Sequence, residues 1–372
     1  MSERQITISV STLLTIIAAG LSLVLLWQLR WLVVVMMIAI VIASTLAPAI
    51  ARAERLKMPR WLAVILTYLA LIGGLVLAGL IIGPTVAEQI ERLVRKLPNY
   101  LDVLEALVRD RALTLGLSDP MVVEQINQLF DIQAVTSWGF RTSQELLIRS
   151  YSLTRGFIGG TLSLILALLL SGYLLAGSQK LIDGFVSLFP APWDQRIAAQ
   201  FSPVSHRMGS YIQGRILVSS ILGVAISVAL RLMGLAEVSL GLGVIAGFTN
   251  LIPFFGPVLG AIPALLVAIA QGGWLFLWVL LLFLIVQNVE TYVLDPLLVG
   301  NSVRVLPIFQ LLAVLGGTQV LGIVGALIVP PWIAGAGVVL ENLYLNPKAA
   351  ALEYQATSQP VTLLTSDSPD PH

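Results

Sequence analysis

The sequence predicts an all-α polytopic membrane protein with about eight hydrophobic membrane segments and a small extracytoplasmic helical domain. Its 372 residues are 57% hydrophobic and only 11% charged, whereas soluble domains are about 25% charged. The apolar residues fall in runs of about 18 or more, long enough to cross a hydrocarbon core about 30 Å thick. Glycine and proline interrupt two of the segments, which predicts re-entrant hairpins or paired short spans there.

The composition excludes several classes of protein. The chain has no cysteine, so it has no disulfide framework and no thiolate metal site. A net charge of +1 gives no basis for nucleic-acid binding. The sequence shows no nucleophile–base pattern, zinc-ligand spacing or phosphate-binding loop. We therefore expect no enzymatic activity, no cofactor and no metal site.

The chain begins with three predicted spans, at about 8–29, 31–50 and 61–83, and Arg30 is expected in a tight turn between the first two. These spans form the first unit, 1–83. The loop over 52–60 contains four basic residues and one acidic residue. Positive charge in a short loop marks the cytoplasmic side, so the amino terminus is predicted to be cytoplasmic.

Residues 84–150 are predicted to form an amphipathic helical domain outside the cytoplasm. Apolar residues recur there at helical spacing with charged residues between them. Pro98 is expected to break the first of its helices. We expect one face of this domain to lie against the membrane or against a neighbouring subunit.

The fourth span, at about 156–178, returns the chain to the cytoplasm and belongs to a unit over 151–214. The polar segment 179–214 has a basic bias, which agrees with a cytoplasmic location. Arg215 is expected to begin the next helix. The carboxyl-terminal residues 346–372 are polar and predict a disordered cytoplasmic tail.

The remaining unit, 215–345, contains two clean spans at about 215–234 and 274–291, each followed by an interrupted stretch. The first stretch, about 239–270, contains three prolines and three glycines within Gly247 to Pro263. The second covers about 308–340. Because paired interrupted segments mark the binding site of many transporters, the pattern predicts a transport core built as an inverted repeat. The alternative is a helix bundle whose kinks serve packing alone.

Polar side chains inside these segments are the candidate site, because polar groups at membrane depth are costly and commonly functional. The predicted pathway or substrate-binding residues are Asn250, Pro253, Gly256, Pro257, Gln287, Glu290, Thr291, Gln310 and Gln319. Glu290 and Asp295 are the candidates for ion coupling. As alternatives, both acids are interfacial residues at a helix end, and Asn250 satisfies backbone groups freed by Pro253. Arg231 and Glu237 are expected to form a solvated pair.

The same region resembles the autoinducer-2 exporter family, also called PerM-like permeases. The resemblance rests on Leu251-Ile-Pro-Phe-Phe-Gly-Pro257, Gly260, Pro263, Gln287, Glu290, Val293-Leu-Asp-Pro296, Gly300, Ser302-Val303, Leu306-Pro307, Gly316-Gly317, Gly322, Gly325 and Pro330. It implies a multi-pass inner or plasma membrane transporter that assembles as a homo-oligomer, with a pentamer as the suggested form. Members are linked to export of autoinducer-2 or to sodium/proton exchange. Arg304 departs from the family pattern, and a pairing with Asp295 would alter the site's charge.

Together these observations predict a secondary transporter or facilitated exporter of a small polar solute. An autoinducer-2-like molecule is the solute that the resemblance implies, and membrane lipid is the expected surrounding partner. A sodium/proton-type cation antiporter is the first alternative, with Glu290 as its intramembrane carboxylate. A non-transporting membrane scaffold that recruits partners through 84–150 is the second.

Overall fold

A computed structural model describes residues 17, 20–21, 24–25, 27–114, 150–272, 274–299 and 306–358. Within these ranges the chain is helical and forms no strand. The helices are α1 (Arg30–Arg55), α2 (Arg60–Thr114), α3 (Ser150–Ala176), α4 (Ser178–Val186), α5 (Trp193–Leu232), α6 (Ser239–Thr249), α7 (Phe255–Gln271), α8 (Trp274–Val289), α9 (Pro307–Leu340) and α10 (Asn346–Ser358). Wide π-helical segments follow α8 and α9, at Glu290–Val299 and Glu341–Leu345.

Five helices of the described part are long and apolar enough to cross a membrane, judged by length and composition. They are Arg30–Arg55, Arg60–Val108, Trp193–Leu232, Trp274–Val299 and Pro307–Leu352. A sixth span results if α3 and α4, bent by 81° at their junction, are counted as one. The predicted all-α polytopic membrane fold is therefore confirmed, with five or six long apolar helices and the shorter α6 and α7.

The predicted tight turn at Arg30 is not formed. The Leu29 amide donates to the Leu25 carbonyl at 2.8 Å, and the Val33 amide donates to the Leu29 carbonyl at 3.1 Å. These are helical hydrogen bonds on both sides of Leu29, so the chain does not reverse direction here. Most of the predicted span 8–29 lies outside the described residues.

Helix α2 is one continuous helix of 55 residues that passes through Pro84 and Pro98. The prediction that Pro98 breaks the helix is wrong. A proline inside a helix removes one hydrogen bond and bends the helix, and the bonds on either side can still hold it. At about 80 Å, α2 is far longer than a bilayer core is thick. Residues 115–149 of the predicted 84–150 domain lie outside the described residues.

The distal part of α2 packs against the carboxyl-terminal half of the chain. The Gly241 amide at the start of α6 donates to Gln89 Oε1 at 2.8 Å. The Lys96 ammonium lies 3.3 Å from the Glu237 carboxylate. The expected pair between Glu237 and Arg231 is therefore wrong, because α2 supplies the cation that Glu237 contacts.

The first interrupted stretch folds back on itself as two helices, α6 and α7, which we call the first hairpin. The chain breaks at 250–254, where Phe254 has a φ of 65°, a left-handed backbone conformation that is uncommon without glycine. The arms then pack closely, and a Cβ added at Gly260 would lie 2.8 Å from the Ala246 Cα. Helix α6 has 11 residues, about 16 Å, so this arm is too short to cross a bilayer.

The second interrupted stretch is α9, and it also folds back. Gly322 has φ 64° and ψ −147°, which is not helical and favours glycine. A Cβ added at Gly317 would collide with the Gly325 carbonyl oxygen, and one added at Gly325 would collide with the Gly317 carbonyl oxygen. In a straight helix these residues would be about 12 Å apart along the axis. Residues 307–340 therefore form a second hairpin that turns at Gly322.

Helix α5 lies between these parts. It has 40 residues, so much of the predicted polar segment 179–214 is helical and continuous with the next span. Its glycines Gly209, Gly214 and Gly223 face α1, the Glu290–Val299 segment and α6 respectively. A Cβ at Gly214 would lie 2.7 Å from the Leu298 carbonyl oxygen. The glycines allow three neighbours to approach the backbone of one central helix.

The predicted disordered tail over 346–372 differs from the structure in its first half. Residues Asn346–Ser358 form α10, a helix that continues from the Glu341–Leu345 segment. Its sequence includes alanine, leucine, lysine and glutamate, which are good helix formers. Residues 359–372 lie outside the described part.

Candidate functional site

One face of α5 presents a row of polar residues. They are spaced four apart, which places neighbours on the same helix face one turn from each other. The row consists of Arg207, Tyr211, Arg215 and Ser219. The first three contact residues of the second hairpin or of the segments that flank it.

Arg215 and Glu290 form a buried ion pair. Arg215 Nη1 lies 2.9 Å from Glu290 Oε1, and the two side chains are only 6% and 4% exposed. Asn250, at the end of α6, donates from Nδ2 to the same Glu290 oxygen at 3.2 Å. Arg215 Nη2 in turn donates to Asn250 Oδ1 at 3.5 Å. The first hairpin, α5 and the π-helical segment thus meet at one charged network.

Asp295 adds a second carboxylate to this network. Its Oδ1 lies 3.5 Å from Arg215 Nη1, and its side chain is 41% exposed. One guanidinium facing two carboxylates leaves one negative charge when all three groups are ionised. The predicted interaction of Asp295 with Arg304 cannot be compared, because Arg304 lies outside the described residues.

Several buried polar atoms around this network have no hydrogen-bond partner in the described part of the chain. They include Arg215 Nε, Ser219 Oγ and Gln287 Oε1. Each such atom costs about 1–3 kcal/mol when it stays unsatisfied. A cavity of about 10 Å³, lined by Asn250, Gln287 and Glu290 with apolar side chains, lies beside them. That is about the volume that one water molecule needs, so a small polar group fits the site.

The backbone breaks position Asn250 and Glu290, two of the three side chains that contact Arg215. Asn250 is the last residue before the turn of the first hairpin, and Gly256 after the turn lies so close that a Cβ there would be 2.5 Å from the Asn250 Cα. Glu290 is the first residue of the π-helical segment, and such wide turns commonly occur at functional sites. Asn250 therefore contacts Glu290 and Arg215 through its side chain, in place of the expected backbone groups near Pro253.

Two further contacts join α5 to the second hairpin. Gln310 Nε2 donates to the Tyr211 hydroxyl at 3.0 Å. Arg207 donates from both terminal nitrogens to the Glu341 carboxylate, at 3.0 and 2.9 Å. Gln310 of α9 thus contacts the polar row of α5 at Tyr211, one turn from Arg215.

The structure brings together only part of the predicted set. Asn250, Glu290 and Asp295 meet at Arg215. Gln287 and Pro257 line the adjacent small cavity, and Pro253 and Gly256 are buried in the turn. Thr291 is exposed and contacts the Gln287 amide at 3.2 Å. Gln319 is exposed near the tip of the second hairpin, away from the network.

Arg215 is the central residue that sequence reasoning missed. It was assigned as a basic residue that flanks a span, which is an ordinary place for arginine. The available signal was its spacing from Tyr211 and Arg207, four and eight residues earlier, which predicts one polar face on a continuous helix. A lone carboxylate in a later apolar span, Glu290, was the complementary signal.

A bundle of long apolar helices in which one hairpin contacts a buried, hydrogen-bonded ion pair and a second hairpin contacts the same central helix one turn away is typical of a membrane transport protein. The chain belongs to the AI-2E family of transporters, since the sequence profile of that family matches residues 13–344. This confirms the family resemblance and the assignment as a multi-pass membrane transporter.

Three relatives carry the name "Putative transport protein". YueF of Bacillus subtilis is 27% identical over 312 residues, which cover 84% of this chain and 83% of the relative. YrrI of Bacillus subtilis is 40% identical over 144 residues, or 39% of this chain and 40% of the relative. The protein sll0060 of Synechocystis is 27% identical over 288 residues, covering 75% and 78%.

Proposed function

We propose that this protein is a secondary transporter or facilitated exporter of a small polar solute. The observation that carries the proposal is the buried network of Arg215, Glu290 and Asn250. Charged groups at membrane depth are costly unless they are paired or contact a substrate. Here they are paired with each other, and neighbouring polar atoms have no hydrogen-bond partner among the described residues. We propose no enzymatic role.

The chemistry of the network favours a neutral solute rich in hydroxyl groups. A hydroxyl both donates and accepts hydrogen bonds, so it can contact Glu290 and the unpartnered atoms of Arg215, Ser219 and Gln287 in turn. A negatively charged solute would be repelled, because the network has one more carboxylate than guanidinium. An autoinducer-2-like polyol fits this description and is the proposed solute class.

The transport core is proposed to be residues 215–345, with the two hairpins as an inverted repeat. The first hairpin contacts the network through Asn250, and the second contacts the same face of α5 through Gln310. Movement of either hairpin would open the network from one side. The chain before residue 215 serves as scaffold, in the units 1–83, 84–150 and 151–214.

Reconstituted vesicles provide the test of transport. Efflux of a labelled polyol should occur with wild type and should be lost with Glu290→Gln. Glu54→Gln serves as the control, because Glu54 lies at the end of α1 in a partly exposed pair with Arg60. Comparison with and without a proton gradient separates coupled from facilitated transport. Equal efflux from wild-type and protein-free vesicles would remove the proposal.

Single cysteines test the movement of the hairpins. The natural chain has no cysteine, so Phe255→Cys and Val320→Cys can be labelled without background. Both positions are exposed, and each lies near the turn of its hairpin. Alternating access requires their labelling rates to change in opposite directions when solute is added. A change in the same direction at both positions would contradict it.

A sodium/proton-type cation antiporter is the second candidate, and Asp295 is the observation that favours it. The network has one more carboxylate than guanidinium, so it can hold one proton or one cation in exchange. Glu290→Gln should then abolish pH-dependent sodium flux in vesicles. Undiminished exchange would exclude this candidate.

A non-transporting membrane scaffold that recruits partners through 84–150 is the third candidate. Deletion of 84–150 with retained efflux would argue against a scaffold role.

Apolar side chains of α2 such as Leu69, Leu75 and Leu80 are exposed. Such a surface fits either lipid or a second copy of the chain, and we propose a homo-oligomer, with a pentamer as the candidate form. We further propose a cell-membrane location with both termini in the cytoplasm.

A further inference from the structure

A groove on the outside of the bundle lies apart from Arg215, Glu290 and Asn250, and Ser219 is the one residue of the polar row of α5 that lines it. It has a volume of about 530 Å³ and lies between α5 and α6, with Ile82 of α2 at its edge. This volume is in the range of small-molecule binding sites, about 300–1,000 Å³. We call it the lateral groove.

The walls of the lateral groove are apolar in effect. Two of its three serines satisfy their hydroxyls within α5: Ser220 donates to the Ile216 carbonyl at 2.7 Å, and Ser227 donates to the Gly223 carbonyl at 2.8 Å. Such bonds to the preceding turn remove a hydroxyl from contact with a ligand. Apart from Ser219 in its floor, the groove therefore offers a hydrocarbon surface.

The length of the lateral groove matches the thickness of one leaflet of a bilayer. Along α5 it extends from Ile216 to Val228, about 18 Å at the rise of an α-helix. Half of a hydrocarbon core is about 15 Å. The walls open outwards, since Val224 is 65% exposed and Phe248 is 66% exposed. In a membrane span, an outward apolar groove is in contact with lipid chains.

A cation lies at one end of the lateral groove. Arg231 follows Val228 by three residues, so it is on the same face of α5 one turn beyond the groove. It is exposed, and within the described ranges no carboxylate forms an ion pair with it. Glu237, the acidic residue close to it in sequence, contacts Lys96 instead. Arginine is well suited to bind a phosphate, with two parallel hydrogen bonds.

We infer that the lateral groove binds a membrane phospholipid, with one acyl chain along α5 and the phosphate at Arg231. The length of the groove, its apolar walls and the cation at its end match the shape and charge of that ligand. A helix from a second copy would fill the apolar part but would not require a cation at the end. The inference does not depend on which solute the protein transports.

Lipid retention by the full-length protein in detergent, measured by native mass spectrometry, tests the inference. The probes are phosphatidylglycerol and diacylglycerol, which share acyl chains but differ in the phosphate. Arg231→Gln should weaken binding of phosphatidylglycerol by about tenfold and leave that of diacylglycerol unchanged. Val224→Trp, which fills the groove, should weaken both. Matched controls are Lys180→Gln at an exposed cation and Leu284→Trp on the exposed face of α8.

The outcomes separate the occupants of the groove. Equal losses from Arg231→Gln and Lys180→Gln would show that the charge is not specific and would overturn the phosphate site. Retained phosphatidylglycerol in Val224→Trp would overturn the acyl-chain site. A change in subunit number with Val224→Trp, without a change in bound lipid, would assign the groove to a second copy. Both substituted positions are exposed, and gel-filtration profiles check that each variant is folded.

Discussion

Arg215 and Glu290 contact each other at 2.9 Å although they are 75 residues apart in the sequence. Their pairing joins the central helix α5 to the π-helical segment after α8. A buried ion pair is weak grounds for stability, because desolvation of the two charges offsets most of their attraction. We therefore propose that the pair takes part in moving solute.

Removal of one partner should be strongly destabilising. Glu290→Gln leaves Arg215 buried with only the more distant Asp295 as a counter-charge. We expect a loss of about 3–5 kcal/mol in the free energy of unfolding, seen as a lower thermal transition in detergent.

The double variant Arg215→Met, Glu290→Leu separates stability from function. It replaces the pair with apolar residues of similar size, which is often neutral or stabilising. We expect the thermal transition to recover while solute efflux stays absent. Recovered efflux would show that the pair has only a structural role.

Asp295→Asn should change ion coupling more than it changes stability. Its carboxylate is partly exposed and lies farther from Arg215, at 3.5 Å, so the change in stability should be about 1 kcal/mol or less. If the extra negative charge serves ion coupling, the dependence of flux on a proton gradient should disappear while downhill efflux continues. A gradient dependence equal to wild type would assign coupling elsewhere.

The turn of the second hairpin can be tested with two adjacent glycines. Gly317→Ala places a methyl group against the Gly325 carbonyl oxygen and should push the arms apart. Gly316→Ala meets nothing within 4 Å, so it should be neutral or stabilising by up to about 1 kcal/mol. Thermal stability and efflux should both fall for the first variant only. Equal losses of thermal stability and efflux in the two variants would contradict the observed hairpin.

The Arg207–Glu341 contact should contribute measurable coupling between α5 and the end of the second hairpin. Both side chains are partly buried and the contact is bidentate. A double-mutant cycle with Arg207→Gln and Glu341→Gln should give about 1 kcal/mol or more. The exposed pair Arg92–Glu88, spaced by four residues on α2, is the control and should give about 0.3–0.5 kcal/mol. Similar coupling energies for both pairs would show that the Arg207–Glu341 contact is no stronger than an exposed pair on a helix surface.

The sequence predicts the membrane fold and the two interrupted stretches, because composition and the placement of proline and glycine act locally. Pro253 marks the break of the first hairpin to within a few residues. The turn at Gly322 is one glycine among several in α9, and only the contact between the arms shows which glycine turns. At Pro98 the sequence signal is misleading, since a proline is present but α2 continues through it without a break.

The site was harder to predict, because its geometry depends on contacts between distant residues. Asn250, Glu290 and Asp295 could be chosen as polar groups in apolar surroundings. Arg215 was missed, because it follows a polar, basic segment and so resembles a residue at the end of a span. Arg215 lies in the middle of α5 because this helix is continuous from Trp193. The helix packs against α1, the first hairpin and the π-helical segment.

The glycines Gly209, Gly214 and Gly223 have a consequence for the way the molecule moves. A different segment packs against the backbone at each glycine. The residues one turn before and after Gly209 and Gly223 all have side chains. A slide of α5 along its axis would drive those side chains into the backbones of α1 and α6. We therefore expect α5 to stay in place while the two hairpins move relative to it.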